Sequence, residues 1–252
     1  MATPATSIAL PRSAYEEEDG ALYPCVEEEP LVQSDWHDDA VFEAKGMLKA
    51  HFADRPEVYI GSDLFIFWEK GDPSRLEAPD IFVCPKAERH GRVRKSYRLW
   101  RELSGPQFVM EVLSDSTEDL DWGDRYRVYR DELRVPEYFI FDPHHHRRFW
   151  GFRLQGHDYV EIERDARERV WSQQLGLWFG TDDHGLVQLW DAEDRPFMKH
   201  VEAVRRAQAE LRRAQAEAHR ADAEAHRAAR AEARVRELES ELRKLRERAQ
   251  DE

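Results

Sequence analysis

The chain has 252 residues, enough for one medium-sized domain and an appendage. It carries 38 basic and 52 acidic residues, and this net charge of -14 argues against a protein that coats nucleic acid by general attraction to phosphates. The sequence lacks an apolar run of the roughly 20 residues that cross a bilayer, a secretory signal and a cysteine motif for metal or redox chemistry. We therefore expect a cytoplasmic protein without a membrane partner.

Three segments differ in composition along the chain. Residues 1–33 carry the acidic clusters EEED and EEE and little periodicity, which predicts a poorly ordered arm. Residues 34–198 alternate helical and strand-like patterns and predict a mixed α/β domain with one central sheet. A first helix is expected from about residue 35, with Val41, Ala44, Leu48 and Phe52 on one face, and a second from 118 to about 133.

The third segment, residues 199–252, repeats RRAQAEL, RRAQAEA and HRADAEA at seven residues. Small apolar residues recur at alternating spacings of four and three, which predicts a coiled-coil helix. The seam slips once near Ala228 and resumes through Val235 and Leu238. Self-association into a homo-oligomer such as a dimer, pairing with another coiled-coil protein, and a lone charged helix all remain open.

One basic run interrupts the acidic body. Between Lys86 and Arg101 there are seven basic residues and one acid. Its candidates for contacting phosphates are Arg92, Arg94, Lys95 and Arg98, and the alternative is a solvated loop.

An acid stands inside the strand-like stretch FVMEVLSDST, residues 108–117. Ionised carboxylates are rarely buried unless they are paired or hold a metal. Glu111 shares one strand face with Val109 and Leu113, and Asp80 opens another apolar strand. If the two strands are neighbours, the carboxylates converge as a site for Mg²⁺ or Mn²⁺; the alternatives are a strand cap or a buried salt bridge.

Four blocks in order, PDIFV, FVMEVLSDST, DWGDRYRVY and VPEYFIFDP, resemble the Uma-type putative restriction endonucleases, a DUF820-like branch of the PD-(D/E)XK nuclease superfamily. The resemblance covers residues 35–165. It implies a restriction-endonuclease-like αβββαβ core, here followed by a long C-terminal helix. It also implies that Asp80 and Glu111 ligate the metal, with Glu43 on the first helix as a further candidate acid.

The superfamily pattern expects a lysine two residues after the second acid, where this chain has Leu113. Relatives of the Uma type place a lysine on the next helix instead. Aligning DWGDRYRVY sets Asp121 and Tyr129 on the supporting positions and Arg125 at the lysine. Arginine can brace a phosphate but cannot act as a base. An Asp121–Arg125 surface ion pair is the structural alternative.

Two functions follow from these residues. The first is a Mg²⁺-dependent endonuclease that hydrolyses DNA, with Asp80, Glu111 and Arg125 as its catalytic set; RNA or a structured DNA end is not separated from duplex DNA. The second is a catalytically weakened nuclease fold that binds or assembles through its coiled coil. An ion bridging Asp80 and Glu111 would favour the first, and an Arg125–Glu111 salt bridge filling the site would favour the second.

Overall fold

The structure is a computed structural model that describes residues 12–25, 35–87, 93–114, 121–144 and 147–250, without the side chains of residues 13 and 241–250. Two compact units divide the chain, Met1–His200 and Val201–Glu252. The helices and strands in chain order are β1 (Tyr15–Glu18), β2 (Ala21–Pro24), α1 (Asp35–His51), β3 (Tyr59–Gly61), β4 (Ile66–Phe67), β5 (Leu76–Glu77), β6 (Ile81–Cys84), β7 (Tyr97–Arg98), β8 (Phe108–Val112), α2 (Asp124–Arg127), β9 (Glu137–Asp142), β10 (Arg148–Gln155), β11 (Asp158–Glu161), β12 (Val170–Ser172), β13 (Leu177–Thr181), β14 (Val187–Trp190) and α3 (His200–Gln250).

A six-stranded mixed sheet in the order β11-β10-β9-β8-β6-β3 forms the centre of the first unit. Strands β8 and β9 are parallel, and the other neighbours are antiparallel. The succession α1, β3, β6, β8, α2, β9 is the predicted αβββαβ order. The mixed α/β class and the long C-terminal helix are therefore confirmed.

Each face of the central sheet has its own hydrophobic cluster. One face, which includes Met110 and Val112, packs with α1 and with the small sheet β12-β13-β14. The predicted stripe of α1 is buried there, with Val41, Ala44 and Leu48 among its members. The opposite face carries Val109, Leu113 and a group of tyrosines. Because strand side chains alternate, Glu111 belongs to this second face.

The segment after β8 changes helical type within a few residues. Helix α2 passes into a π-helical turn, Val128–Glu132, in which the Leu133 amide donates to the carbonyl oxygen of Val128 at 3.0 Å. A π-turn inserts an extra residue into the helix and often accompanies a functional site. This turn carries Tyr129, which is fully buried on the second face.

The N-terminal segment differs from the predicted poorly ordered arm, because residues 15–24 form the antiparallel hairpin β1-β2. Tyr23 of this hairpin is fully buried and packs edge-on against Phe67 at 5.0 Å. The sequence pattern does not predict this contact, because Tyr23 stands only five residues after the last glutamate of the acidic cluster EEED. The rest of the predicted arm, residues 1–11 and 26–33, lies outside the described residues.

The second unit is one continuous helix. In its described part, side chains such as Leu211, Val235 and Leu238 are exposed, and Arg206 pairs with Glu210 at 3.2 Å. None of the helices in the described ranges is both long and apolar enough to traverse a membrane. The coiled coil stays a prediction.

Thiol labelling tests the packing of the second face. Burial raises the pKa of Cys84 to about 12, whereas Cys25 is only partly buried. Because the thiolate is the reactive form, iodoacetamide at roughly pH 8 should modify Cys25 and leave Cys84 unmodified in the native protein. Mass spectrometry should detect both adducts after unfolding in guanidinium. Modification of native Cys84 at the rate of Cys25 would contradict this packing.

Candidate active site

Asp80 and Glu111 meet where β6 and β8 lie side by side. Ile81 pairs with Met110, so Asp80, one residue before β6, faces Glu111. The Asp80 amide donates to Glu111 Oε2 at 3.1 Å, and the Val112 amide donates to Asp80 Oδ2 at 2.7 Å. Both side chains are buried. The structure thus brings the two predicted acids together through backbone hydrogen bonds that fix their carboxylates.

Tyr129 orients Glu111 from the opposite side. Its hydroxyl donates to Glu111 Oε1 at 2.5 Å, and both residues are fully buried. The π-turn that carries Tyr129 therefore has a direct contact with the site. Glu111 consequently has one hydrogen bond on each carboxylate oxygen in the described structure.

Arg125 places its guanidinium close to Glu111. Its Nη1 donates to Asp121 Oδ1 at 2.8 Å and lies 3.7 Å from Glu111 Oε2. Its Nε lies 3.6 Å from Oε2 of Glu77, an acid that the sequence analysis did not select. Arg125 is thus within ion-pair range of Glu111, while its hydrogen bond goes to Asp121.

His37 is a site residue that the sequence analysis missed. It is buried near the start of α1, and its Nε2 lies 3.1 Å from Asp80 Oδ2 in a hydrogen bond. Burial disfavours the charged ring, but this hydrogen bond and the negative charges of Asp80 and Asp63 prevail and raise the pKa of His37. A lone histidine has no spacing partner in the sequence, so only the packing of α1 on the strands shows the contact.

Negative charge accumulates at this site. Burial and the neighbouring charge of Asp80 raise the pKa of Glu111 well above its usual range, although Arg125 opposes the shift. Burial likewise raises the pKa of Glu77. Arg125 lies within ion-pair range of three carboxyl groups, those of Glu77, Glu111 and Asp121. A fourth, that of Asp80, lies beside Glu111 and pairs with His37. The described residues therefore leave an excess of acid that a cation could balance.

A second fully buried glutamate, in contrast, is paired with a guanidinium. Glu137, at the start of β9, accepts two hydrogen bonds from Arg153 at 3.0 and 2.8 Å. Ser172 and the amides of Gln173 and Gln174 also donate to its carboxylate. Glu137 is thus neutralised by a dedicated guanidinium, which is how a structural buried acid is stabilised. Glu111 lacks an equivalent hydrogen-bonded guanidinium among the described residues.

Two positions of the nuclease pattern take structural roles. Glu43 accepts a hydrogen bond from the His200 amide at 2.9 Å, at the start of α3. This contact caps a helix, and the role of Glu43 as an additional metal-binding acid stays a prediction. Leu113, where the pattern expects lysine, is buried in the apolar cluster of the second face.

Two described arginines of the predicted phosphate-binding run pair with acids of the fold. Arg98 is buried and pairs with Glu16 and Glu18 of the hairpin at 2.8 and 2.7 Å. Arg94 makes a bidentate pair with Glu102 at 2.8 and 2.9 Å. Their guanidiniums are occupied within the fold, which corrects the expectation that Arg94 and Arg98 contact phosphates. Lys95 is exposed, and Arg92 lies outside the described residues.

The donor set fits a hard divalent cation. Mg²⁺ is usually held by one or two carboxylates, waters and substrate phosphate oxygens. Both hydrogen bonds that Asp80 accepts in the described structure go to Oδ2, so Oδ1 remains available to a ligand. In the same part of the chain, His, Cys, Asp and Glu side chains form no cluster of three or more suited to a metal. The pair therefore fits an ion that keeps much of its water shell.

Comparison with known proteins identifies the family of the chain. Residues 10–182 match the family described as Uma2, putative restriction endonuclease. The chain belongs to this family. Membership places it, at a coarse level, among nuclease-type hydrolases, as the four sequence blocks implied. No curated protein matches the chain.

A solved structure also matches, a putative nuclease belonging to DUF820 from Anabaena variabilis ATCC 29413. It is 15% identical, with a TM-score of 0.45. The match covers 67% of this chain and 86% of that chain.

Replacing Glu111 by Gln should change stability in a pH-dependent way. Because the native state raises the pKa of Glu111, the protonated carboxyl stabilises the fold below the unfolded value of about 4.3, and this stabilisation is lost as pH rises through the folded value. In EDTA, the Tm of Glu111→Gln minus that of the wild type should therefore increase from about pH 5 to about pH 8. Calorimetry measures this difference.

The exposed variant Glu161→Gln is the control for this measurement, because its side chain lies at the surface beside Arg164. Its Tm difference from the wild type should stay constant over the same range. A difference for Glu111→Gln that stays constant or shrinks as pH rises would contradict the buried, like-charged site.

Proposed function

We propose that the chain is a Mg²⁺- or Mn²⁺-dependent endonuclease that hydrolyses phosphodiester bonds of DNA at Asp80 and Glu111. The observation that carries the proposal is the pairing of these two buried carboxylates without a guanidinium that is hydrogen-bonded to either in the described structure. Membership of a nuclease family supports the reaction class. The surplus of acid supports a cation as the missing partner.

The residues of the chain have distinct parts in this reaction. Asp80 and Glu111 would hold the cation, which when bound supplies a water of lowered pKa and offsets phosphate charge. Tyr129 and the Asp80 amide fix the two oxygens of Glu111, and His37 fixes Oδ2 of Asp80. These contacts hold the carboxylates in a preorganised arrangement.

Arg125 acts on the substrate in this proposal. A phosphate oxygen beside Glu111 Oε2 would come within reach of the guanidinium, which lies 3.7 Å from that atom. Arginine keeps its proton at any working pH, so Arg125 stabilises negative charge and does not transfer a proton. Its bond to Asp121 sets its orientation.

Plasmid cleavage tests the proposal directly. The full chain should nick or linearise DNA in Mg²⁺ or Mn²⁺ and not in EDTA. Glu111→Gln and Asp80→Asn should each lower the rate at least about 100-fold, because each removes a charged ligand of the cation. The surface variant Glu161→Gln should cleave like the wild type. Equal cleavage by wild type and Glu111→Gln would refute this site.

A stability measurement accompanies the cleavage assay. A ligand that binds only the native state raises its stability. Mg²⁺ should therefore raise the Tm of the wild type and of Glu161→Gln more than that of Glu111→Gln. Equal increases in all three proteins would place the ion elsewhere.

The second candidate is a weakened nuclease fold that works as a binding or assembly module. The ion-pair distance of 3.7 Å between Arg125 and Glu111 and the leucine at position 113 favour it. Robust metal-dependent turnover by the wild type would remove this candidate. An inactive wild type combined with an active Arg125→Lys would support it.

We further propose that helix α3 joins two copies through its heptad seam. Leu211 and Leu238 belong to that seam and are exposed in the single chain. Sedimentation equilibrium should show a dimer for the wild type and a monomer for Leu211→Glu/Leu238→Glu, because charges at seam positions oppose burial. Arg212→Gln, next to the seam, is the control and should stay dimeric. A monomeric wild type would contradict the assembly.

A further inference from the structure

A tryptophan of β10 lies in the same row of the sheet as Glu111. Glu111 pairs with Ile140 of β9, and Ile140 pairs with Trp150. Residues paired across strands project to the same face, and neighbouring strands lie about 4.8 Å apart. The backbone of Trp150 therefore lies roughly 10 Å from that of Glu111, and both side chains are on the second face. The site and this ring share one surface of the sheet.

Arg148 covers the Trp150 ring. Its guanidinium carbon lies 4.5 Å from the ring centroid. Asp142 is its cross-strand partner, yet the carboxylate of Asp142 accepts from the His144 amide and makes no ion pair with Arg148. Within the described residues the Arg148 side chain has neither an ion pair nor a hydrogen bond, and its Nε is buried without a partner. Buried donors without partners are rare in native proteins.

Trp122 also packs against the Trp150 ring. It follows Asp121, whose carboxylate accepts from Arg125, and its ring stands edge-on to Trp150 at 5.4 Å. The centroid of the Phe152 ring lies 6.0 Å from that of the Trp122 ring, also edge-on. Trp122 nevertheless remains 38% exposed. A large aromatic surface thus stays open next to the residues that surround the candidate site.

We propose that Trp122 and Arg148 bind one unpaired nucleotide of the DNA substrate, within a few nucleotides of the phosphate held at Glu111. This inference rests on the proposed function and names its substrate as DNA with a single-stranded segment. The base stacks on Trp122, since every base has a π-face that an aromatic ring can cover. Bases within a duplex are already stacked on each other, so the preference is for unpaired DNA.

The phosphate of that nucleotide accepts hydrogen bonds from Arg148. Stacking on Trp150 restricts the guanidinium, and a planar guanidinium offers two parallel donors to a phosphate. A rise of about 3.4 Å per nucleotide along one strand lets the same strand reach both this group and Glu111. Arg148 also supplies positive charge on a face whose central site is acidic.

DNA binding measured in EDTA tests this proposal without cleavage. Fluorescence anisotropy would compare a labelled single-stranded oligonucleotide with its duplex for the full wild-type chain, Arg148→Gln, Trp122→Leu and Trp122→Phe. Single-stranded affinity should fall about 5- to 100-fold in Arg148→Gln and Trp122→Leu, and duplex affinity should change by less than about 3-fold. Trp122→Phe should retain most of the affinity because it keeps an aromatic face.

Salt dependence separates the two contacts. Arg148→Gln should lower the slope of log affinity against log salt by about 0.7, the value for one phosphate contact on a single strand, and Trp122→Leu should not. Arg127→Gln is the matched control, because Arg127 is an exposed arginine of α2 paired with Asp124. It should bind like the wild type.

The outcomes distinguish this inference from the proposed function. Unchanged single-stranded binding in Arg148→Gln and Trp122→Leu, or equal losses on duplex, would overturn the inference even if the wild type cleaves DNA. Tighter binding to RNA of the same sequence would overturn the assignment to DNA. Selective loss of single-stranded DNA binding in an enzyme that does not cleave would support this site and refute only the proposed hydrolysis.

Discussion

Two carboxylates held side by side in the interior, Asp80 and Glu111, are the constraint on which the rest of the site depends. Their strands pair so that each backbone donates an amide to the other strand's acid. Burial of Glu111 away from water, together with the like charge of Asp80, raises the pKa of Glu111. The surrounding contacts orient these charges and leave an acid surplus.

The same fold shows how it stabilises an acid whose role is structural. Glu137 accepts hydrogen bonds from Arg153, a serine and two backbone amides, so its charge is neutralised where it is buried. Glu111 accepts hydrogen bonds from a tyrosine and one backbone amide, and the nearby Arg125 guanidinium is hydrogen-bonded to Asp121. Departures from full satisfaction concentrate at functional sites. The comparison within one chain is the physical reason to propose a function for Glu111.

Much of this arrangement could be predicted from local sequence. The apolar run around Glu111 indicated a buried strand, and the helical periodicity of α1 placed Val41 and Leu48 inward. The order of the core elements followed from the four sequence blocks. Each of these features depends on residues close together in the chain, where periodicity carries the information.

Contacts between distant segments could not be predicted in the same way. His37 reaches Asp80 across 43 positions, and Glu18 reaches Arg98 across 80. By itself the acidic cluster indicates a poorly ordered arm and the basic run a phosphate-binding or solvated loop, because a sequence does not show that they neutralise each other. The π-turn that carries Tyr129 also escaped prediction, since its pattern resembles an ordinary amphipathic helix.

The position of Arg125 links the two sets of observations. Leu113 packs in the apolar cluster of the second face, so the positive charge beside Glu111 is the Arg125 guanidinium of α2.

The most direct test is anomalous-difference density from crystals of the full chain soaked in Mn²⁺. We expect one Mn²⁺ peak bridging Asp80 and Glu111, with Arg125 still bonded to Asp121. No peak at this pair, with the Arg125 guanidinium hydrogen-bonded to Glu111, would contradict it.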